Sequence, residues 1–270
     1  MINNFYFFGT SFSAGGMLYR KLDTENKHCK NWLKILNRFE KYQSIPINYS
    51  TSYEFSKLLK LNNFDNKTIV NLAKAGYGLE RIFREVTNLI FNSKFNPDES
   101  VFIIELTDNI YRRDFYYNPI DDHVVGTHKK GIDTFYIMNR FWEDKSDTID
   151  SFLSNKQKII DYYKLTYNAD EVIKKSELDT LMLISLLDKL KVKYVFSSGP
   201  YYVNKNKLNK IHFDYNKIIV NDLEKWIRSE KLDIQTESNN LVPDPYHLGI
   251  KGTKIVSNLI FDKLKELNYL

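Results

Sequence analysis

Four short apolar runs alternate with segments of helical periodicity along this chain. The runs are Phe5-Tyr6-Phe7-Phe8, Thr68-Ile69-Val70-Asn71-Leu72, Val101-Phe102-Ile103-Ile104-Glu105-Leu106 and Val192-Lys193-Tyr194-Val195-Phe196. Each is short and apolar on both alternating faces, the pattern of a strand buried in a parallel sheet. Between them, Leu79, Ile82, Phe83, Val86, Leu89 and Ile90 predict an amphipathic helix over 79–91. Similar spacing predicts helices over 178–190 and 253–267, the last with Ile255, Val256, Leu259, Ile260 and Leu264 on one face. Strands alternating with helices imply βαβ units and a parallel sheet covered on both sides.

The interval 114–175 fits this alternation poorly. It holds aromatic pieces such as Phe135-Tyr136-Ile137-Met138 and a helical pattern over 150–165. It reads as an insertion between core strands, so residues 1–270 are expected to form a single domain. Insertions at a strand's carboxyl end commonly shape a binding cleft.

The bulk numbers narrow the picture further. With 270 residues and 43% hydrophobic content, the chain can bury one sizeable core. Six prolines and ten glycines are few for a fold built on many tight turns. The net charge of +5 is spread among alternating Lys and Glu, without the concentrated stripe of a dedicated nucleic-acid binder. The single cysteine, Cys29, excludes an intramolecular disulfide and a cysteine-based zinc site. The start, Met1-Ile2-Asn3-Asn4-Phe5, lacks a basic n-region and a cleavage site and reads as a first strand. No apolar run is long enough to span a bilayer. A soluble protein, cytoplasmic or virion-associated, is expected.

In open parallel sheets, ligands bind beyond the carboxyl ends of the strands. The first run leads into Gly9-Thr10-Ser11-Phe12-Ser13-Ala14-Gly15-Gly16, where a serine on a strand-to-helix turn exposes its hydroxyl near backbone amides. This is neither a Walker loop, lacking its Lys, nor a G-x-G-x-x-G fingerprint, nor a G-x-S-x-G elbow, since Ser13 stands at the second Gly. The second run leads into Asn71-Leu72-Ala73-Lys74-Ala75-Gly76-Tyr77-Gly78, which fits a plain glycine turn as well as close approach of a ligand. The third ends in Leu106-Thr107-Asp108-Asn109, preceded by Glu105, a carboxylate in an apolar strand whose expected partner is Arg112 or Arg113. Near the C-terminus stands Asp244-Pro245-Tyr246-His247. A carboxylate three residues before a histidine can hold the imidazole tautomer and leave Nε2 as a general base.

Together, in this order, these four pieces resemble the conserved blocks of the SGNH/GDSL hydrolases. Phe8 to Gly15 is similar to the nucleophile block, Asn71 to Gly76 to the glycine block, Val101 to Asn109 to the third block, and Asp244 to His247 to the D-x-x-H block. A narrower likeness is to small SGNH-like proteins of phages. The resemblance implies a three-layer α/β/α fold with a parallel, flavodoxin-like sheet of about five strands. It implies ester hydrolysis through an acyl-enzyme, with Ser11 as nucleophile, His247 as base and Asp244 orienting it. The oxyanion donors would be the amides of Ser11 and Gly76 and the side chain of Asn109. Two positions depart from the pattern. Thr10 stands where the signature has Asp, and Leu106-Thr107-Asp108-Asn109 exchanges the Asn and Asp of the third block. Thr107 or an Arg could fill the third-donor role instead, or that donor is missing.

The substrate expected on this resemblance is an acetyl or other short acyl ester of a carbohydrate. Partners are then an acylated small molecule or glycan, with no nucleic acid, membrane, cofactor or metal. His28, His123, His128 and His212 match no standard metal spacing, and Asp121-Asp122-His123 with His128 reads as a solvated loop. Three rivals accompany hydrolysis: acyl transfer by the same triad, a non-catalytic SGNH-fold module, and nucleic-acid binding suggested by charge alone.

Overall fold

The computed structural model describes residues 2–10, 50–73, 78–92, 95–107, 112–118, 123–130, 134–139, 168–233 and 247–270, those between 112 and 139 as backbone alone. In chain order the described elements are β1 (Asn4–Phe8), α1 (Thr51–Leu61), β2 (Thr68–Asn71), α2 (Leu79–Ile90) and β3 (Ser100–Glu105). Then come β4 (Arg112–Asn118), β5 (His123–Lys130), β6 (Thr134–Asn139) and α3 (Ala169–Lys189). The chain continues with β7 (Lys193–Ser198), α4 (Lys205–Lys210), α5 (Leu223–Ser229) and α6 (Ile250–Glu266).

The four apolar runs form one parallel sheet in the order β2-β1-β3-β7. Alternation along each strand divides the core in two. Phe5, Phe7, Val101, Ile103 and Val195 face Phe55, Leu59, Ile227, Val256 and Ile260 of α1, α5 and α6. Phe8, Phe102, Ile104, Tyr194 and Phe196 face Leu79, Ile82, Val86, Leu183 and Leu187 of α2 and α3. This is a three-layer α/β/α sandwich, and its strand order is that of the flavodoxin-like arrangement. All six positions of β3 are buried, while Thr68 of β2 is exposed, so β2 is an edge. Full burial of one Phe side chain stabilises by about 1.5–3 kcal/mol, so paired aromatics such as Phe8 and Phe102, 5.0 Å apart, anchor the centre.

About five strands were expected, and the described parallel sheet has four. A fifth position exists only as a bridge. Ile218 pairs in parallel with Phe196, the Ile219 N–H donates to the Phe196 carbonyl at 2.9 Å, and the Gly199 N–H donates to the Val220 carbonyl at 2.7 Å. The 3-10 turn Tyr215–Lys217 precedes it and the Asp222 cap of α5 follows it.

Three local readings also need correction. Asp121-Asp122-His123 with His128 was expected to be a solvated loop, yet β4 and β5 pair antiparallel and β6 completes a three-stranded sheet. Phe115, Tyr116 and Tyr117 in β4 and Val124, Val125 and Thr127 in β5 favour strand strongly enough to override the flanking charges. His123 and His128 are thus strand residues, not loop residues. Helix α3 starts at Ala169, inside the interval assigned to the insertion, because Asn168 caps it by accepting from the Asp170 and Glu171 amides at 3.0 and 3.3 Å. Helix α1 was not predicted, although Ser50 caps it and Phe55, Leu58 and Leu59 carry helical spacing. The helix expected over 150–165 lies outside the described residues.

Candidate functional site

The carboxyl end of the sheet is where the chain gathers buried polar groups. β1 and β3 pair as far as Phe8 and Ile104. Past that last pair, the Thr10 hydroxyl donates to Glu105 Oε1, and both residues are buried. An apolar strand thus ends in a carboxylate that the neighbouring strand's exit satisfies, as a buried charge requires. This identifies a partner for Glu105 that was not foreseen; the expected Arg112 and Arg113 side chains lie outside the described ones.

The loop after β3 is held from the other side. The Leu106 N–H donates to the Ser198 carbonyl at 3.1 Å, across an irregular register between Ile104 and Glu105. The Tyr202 hydroxyl donates to the Thr107 carbonyl at 3.0 Å and shares a hydrogen bond of 2.6 Å with Thr180 of α3. Glu177 of α3 accepts from the Asn204 N–H at 2.9 Å and pairs with Lys207 at 2.5 Å. Burial pushes the Glu177 carboxyl up, but the Lys207 ammonium and the Asn204 amide outweigh it and hold the group below the ordinary carboxylate value. At the end of β2, Asn71 Oδ1 accepts from the Ala73 N–H at 3.1 Å, and α2 begins after its Gly78 cap.

His247 is half-buried and stands just before α6. Helix α6 fixes which end of the sheet that is. Ser257, in its first half, donates to the carbonyl of Thr51, the first residue of α1, at 2.9 Å. Phe261, further along, stacks 6.4 Å from Phe64, just before β2. Because α1 runs back from the carboxyl end of β1 to the amino end of β2, α6 runs the same way. His247 therefore stands at the carboxyl end. Its neighbour Leu248 is buried and bridges antiparallel to Asp233, and the Gly249 N–H donates to the Leu232 carbonyl at 2.8 Å. Gly252 permits this close fit, since a Cβ there would stand 2.6 Å from the Leu232 carbonyl oxygen.

Of the predicted site residues, His247 is described. Ser11, Gly76, Asn109 and Asp244 lie outside the described residues. The described backbone reaches Thr10, one residue before Ser11, Ala73 and Gly78 on either side of Gly76, and Thr107, two before Asn109. Sequence reasoning missed Tyr202 and Gly252. A Tyr following a strand's Gly-Pro exit and a Gly in the first turn of a helix were the available signals. Among the described residues, no cluster of three His, Cys, Asp or Glu could hold a metal ion, and no helix is long and apolar enough to cross a membrane.

No family model matches this chain, and no curated protein matches it. Several solved structures are similar to it. The psychrotrophic esterase EstA from Pseudoalteromonas sp. is 12% identical, with 99% of this chain and 100% of that one covered and a TM-score of 0.43. An acetyl xylan esterase, AlAXEase, is 13% identical over 96% and 98% of the two chains, with a TM-score of 0.43. A protein from Parabacteroides merdae ATCC 43184 described as a GDSL-like lipase is 11% identical over 97% and 95%, with a TM-score of 0.45.

Proposed function

We propose that this chain is a serine esterase that removes a short acyl group, acetyl first among them, from a carbohydrate. The observation that carries the reading is the placement of His247 at the carboxyl end of the sheet, the end at which β1 leads through Thr10 toward Ser11. Thr10, the residue before the proposed nucleophile, and His247 thereby stand at one end of one sheet. That convergence is what a nucleophile and its base require.

In the proposed reaction, Ser11 Oγ attacks the ester carbonyl as its proton passes to His247 Nε2. Asp244 holds the Nδ1–H of His247 and stabilises the imidazolium. The tetrahedral oxyanion accepts hydrogen bonds from the amides of Ser11 and Gly76 and from Asn109. Collapse breaks the bond to the alcohol oxygen, which leaves with the proton from His247. Water, deprotonated by His247, then attacks the acyl-enzyme, releasing the carboxylic acid and restoring Ser11.

Acetate release from acetylated xylo-oligosaccharides and from p-nitrophenyl acetate tests this reading. Wild-type protein should turn over both esters. Ser11→Ala should lose at least about 10³-fold in kcat while its thermal unfolding stays unchanged. Turnover that survives Ser11→Ala would overturn the assignment.

A further inference from the structure

We propose that Glu105 is a positioning residue for Ser11, acting through the hydroxyl of Thr10. The inference rests on the esterase reading for its catalytic consequence, and its structural part stands without it.

Thr10 is 1% exposed and Glu105 is 2% exposed. Removing a carboxylate from water costs several kcal/mol unless hydrogen bonds replace the water. An apolar residue at position 105 would continue the pattern of Val101 to Ile104 at no such cost. Instead the strand ends in a carboxylate that accepts from Thr10. The bond lies beyond the last backbone pair of β1 with β3, Phe8 with Ile104. It extends the tie between the two strands to the last residue before the serine.

The geometry transmits that tie directly. Consecutive Cα atoms are separated by about 3.8 Å, so the Ser11 Cα lies within one virtual bond of an anchored residue. A hydrogen bond to a carboxylate is directional as well as strong, so it orients Thr10 where apolar contact alone would only bury it. Misplacing a reacting group by about 1 Å costs about 10²-fold in rate. An anchor adjacent to the nucleophile therefore acts on kcat, with little effect on binding of a small ester.

The test compares Thr10→Val, Thr10→Ser, Glu105→Gln and the double variant Thr10→Val/Glu105→Leu. Three quantities are read: unfolding temperature, rate of fluorophosphonate labelling at Ser11, and amide hydrogen exchange of the peptide spanning residues 9–16. Thr10→Val should label about 10–100-fold more slowly and exchange faster, with KM for p-nitrophenyl acetate unchanged and kcat lowered. Thr10→Ser keeps a donor and Glu105→Gln keeps an acceptor, so both should stay within a few-fold of wild type. The double variant removes both partners of this bond at similar volume, so its unfolding temperature separates loss of the tie from an orphaned carboxylate. Its labelling should remain as slow as that of Thr10→Val. This variant also keeps the test alive if Thr10→Val does not fold.

Wild-type labelling in the double variant would reduce the bond to a structural one and overturn the proposal, as would unchanged labelling and exchange in a folded Thr10→Val. If wild-type protein takes no label at Ser11, the esterase reading fails. Hydrogen exchange then decides the anchoring by itself, with faster exchange in Thr10→Val than in Thr10→Ser upholding it and equal exchange overturning it.

Discussion

The two ends of the parallel sheet are built from different materials. At the amino end, the ladder is closed by backbone groups: the Asn3 N–H donates to the Glu99 carbonyl at 2.9 Å and the Thr68 N–H to the Asn3 carbonyl at 2.8 Å. Ile2, Phe5 and Val101 pack there against Leu264, and the buried Ser100 hydroxyl is satisfied locally by the Asn96 carbonyl at 2.6 Å. At the carboxyl end, side chains hold side chains and loops across large sequence separations: Thr10 with Glu105, Tyr202 with Thr107 and Thr180, Glu177 with Asn204 and Lys207. Apolar burial at the first end is non-directional and strongly stabilising, whereas each polar tie at the second contributes about 0.5–3 kcal/mol net, the upper part of that range for ties to a carboxylate. The second end gains orientation instead. The amino end has directional ties of its own, the Lys67 ammonium on the Ile2 carbonyl and Lys217 on Asp188, but the buried carboxylate Glu105 is held at the second end, where this chain carries its candidate chemistry.

The contrast can be broken from either side. Phe102→Ala should produce the largest effect, because Phe102 is fully buried between the rings of Tyr6, Phe8 and Phe95. A loss of about 3–5 kcal/mol is expected by urea denaturation, with Ser11 labelling of the remaining folded molecules little changed. Gly252→Ala acts at the carboxyl end by forcing α6 away from Leu232. It should lose about 1–3 kcal/mol and, unlike Phe102→Ala, also slow labelling, because the strained segment carries His247.

Smaller effects sharpen the comparison. Glu177 is held below the ordinary carboxylate value, so its pairing stabilises the fold above the unfolded-state value and is lost as pH falls through the folded one. Glu177→Gln should therefore unfold at a lower temperature than wild type at neutral pH, by at most about 1 kcal/mol since Lys207 is half-exposed, and the gap should close in acid. Ser197, beside the irregular register of β7, has a buried hydroxyl with no hydrogen-bond partner among the described residues. Ser197→Ala should be neutral or stabilising by up to about 1 kcal/mol in the same thermal assay.

The sheet was legible because burial on both faces leaves a continuous apolar run, and all four such runs became its strands. The helices over 79–91 and 253–267 were legible for the matching reason, a single apolar face. The antiparallel strands β4 and β5 were not, since charges such as Arg112, Arg113, Lys129 and Lys130 masked their β-forming centres. The fifth position, a single parallel bridge of Ile218 to Phe196, follows no long apolar run that hydrophobicity would report. At the site, Glu105 stood out as a carboxylate in an apolar strand, but its partner Thr10 is far away in sequence. Only the register of β1 on β3 brings them together. His247 was read from its spacing to Asp244, while its place at the carboxyl end depends on the direction of α6.

The central claim is that Ser11 and His247 form one reactive site. Intact-protein mass spectrometry after fluorophosphonate treatment tests it most directly, on wild type, Ser11→Ala and His247→Ala. A single adduct on wild type, absent from Ser11→Ala and much slower to form on His247→Ala, is the predicted result. No adduct on folded wild-type protein, or equal labelling of all three, would contradict the account and leave a non-catalytic module as the better description.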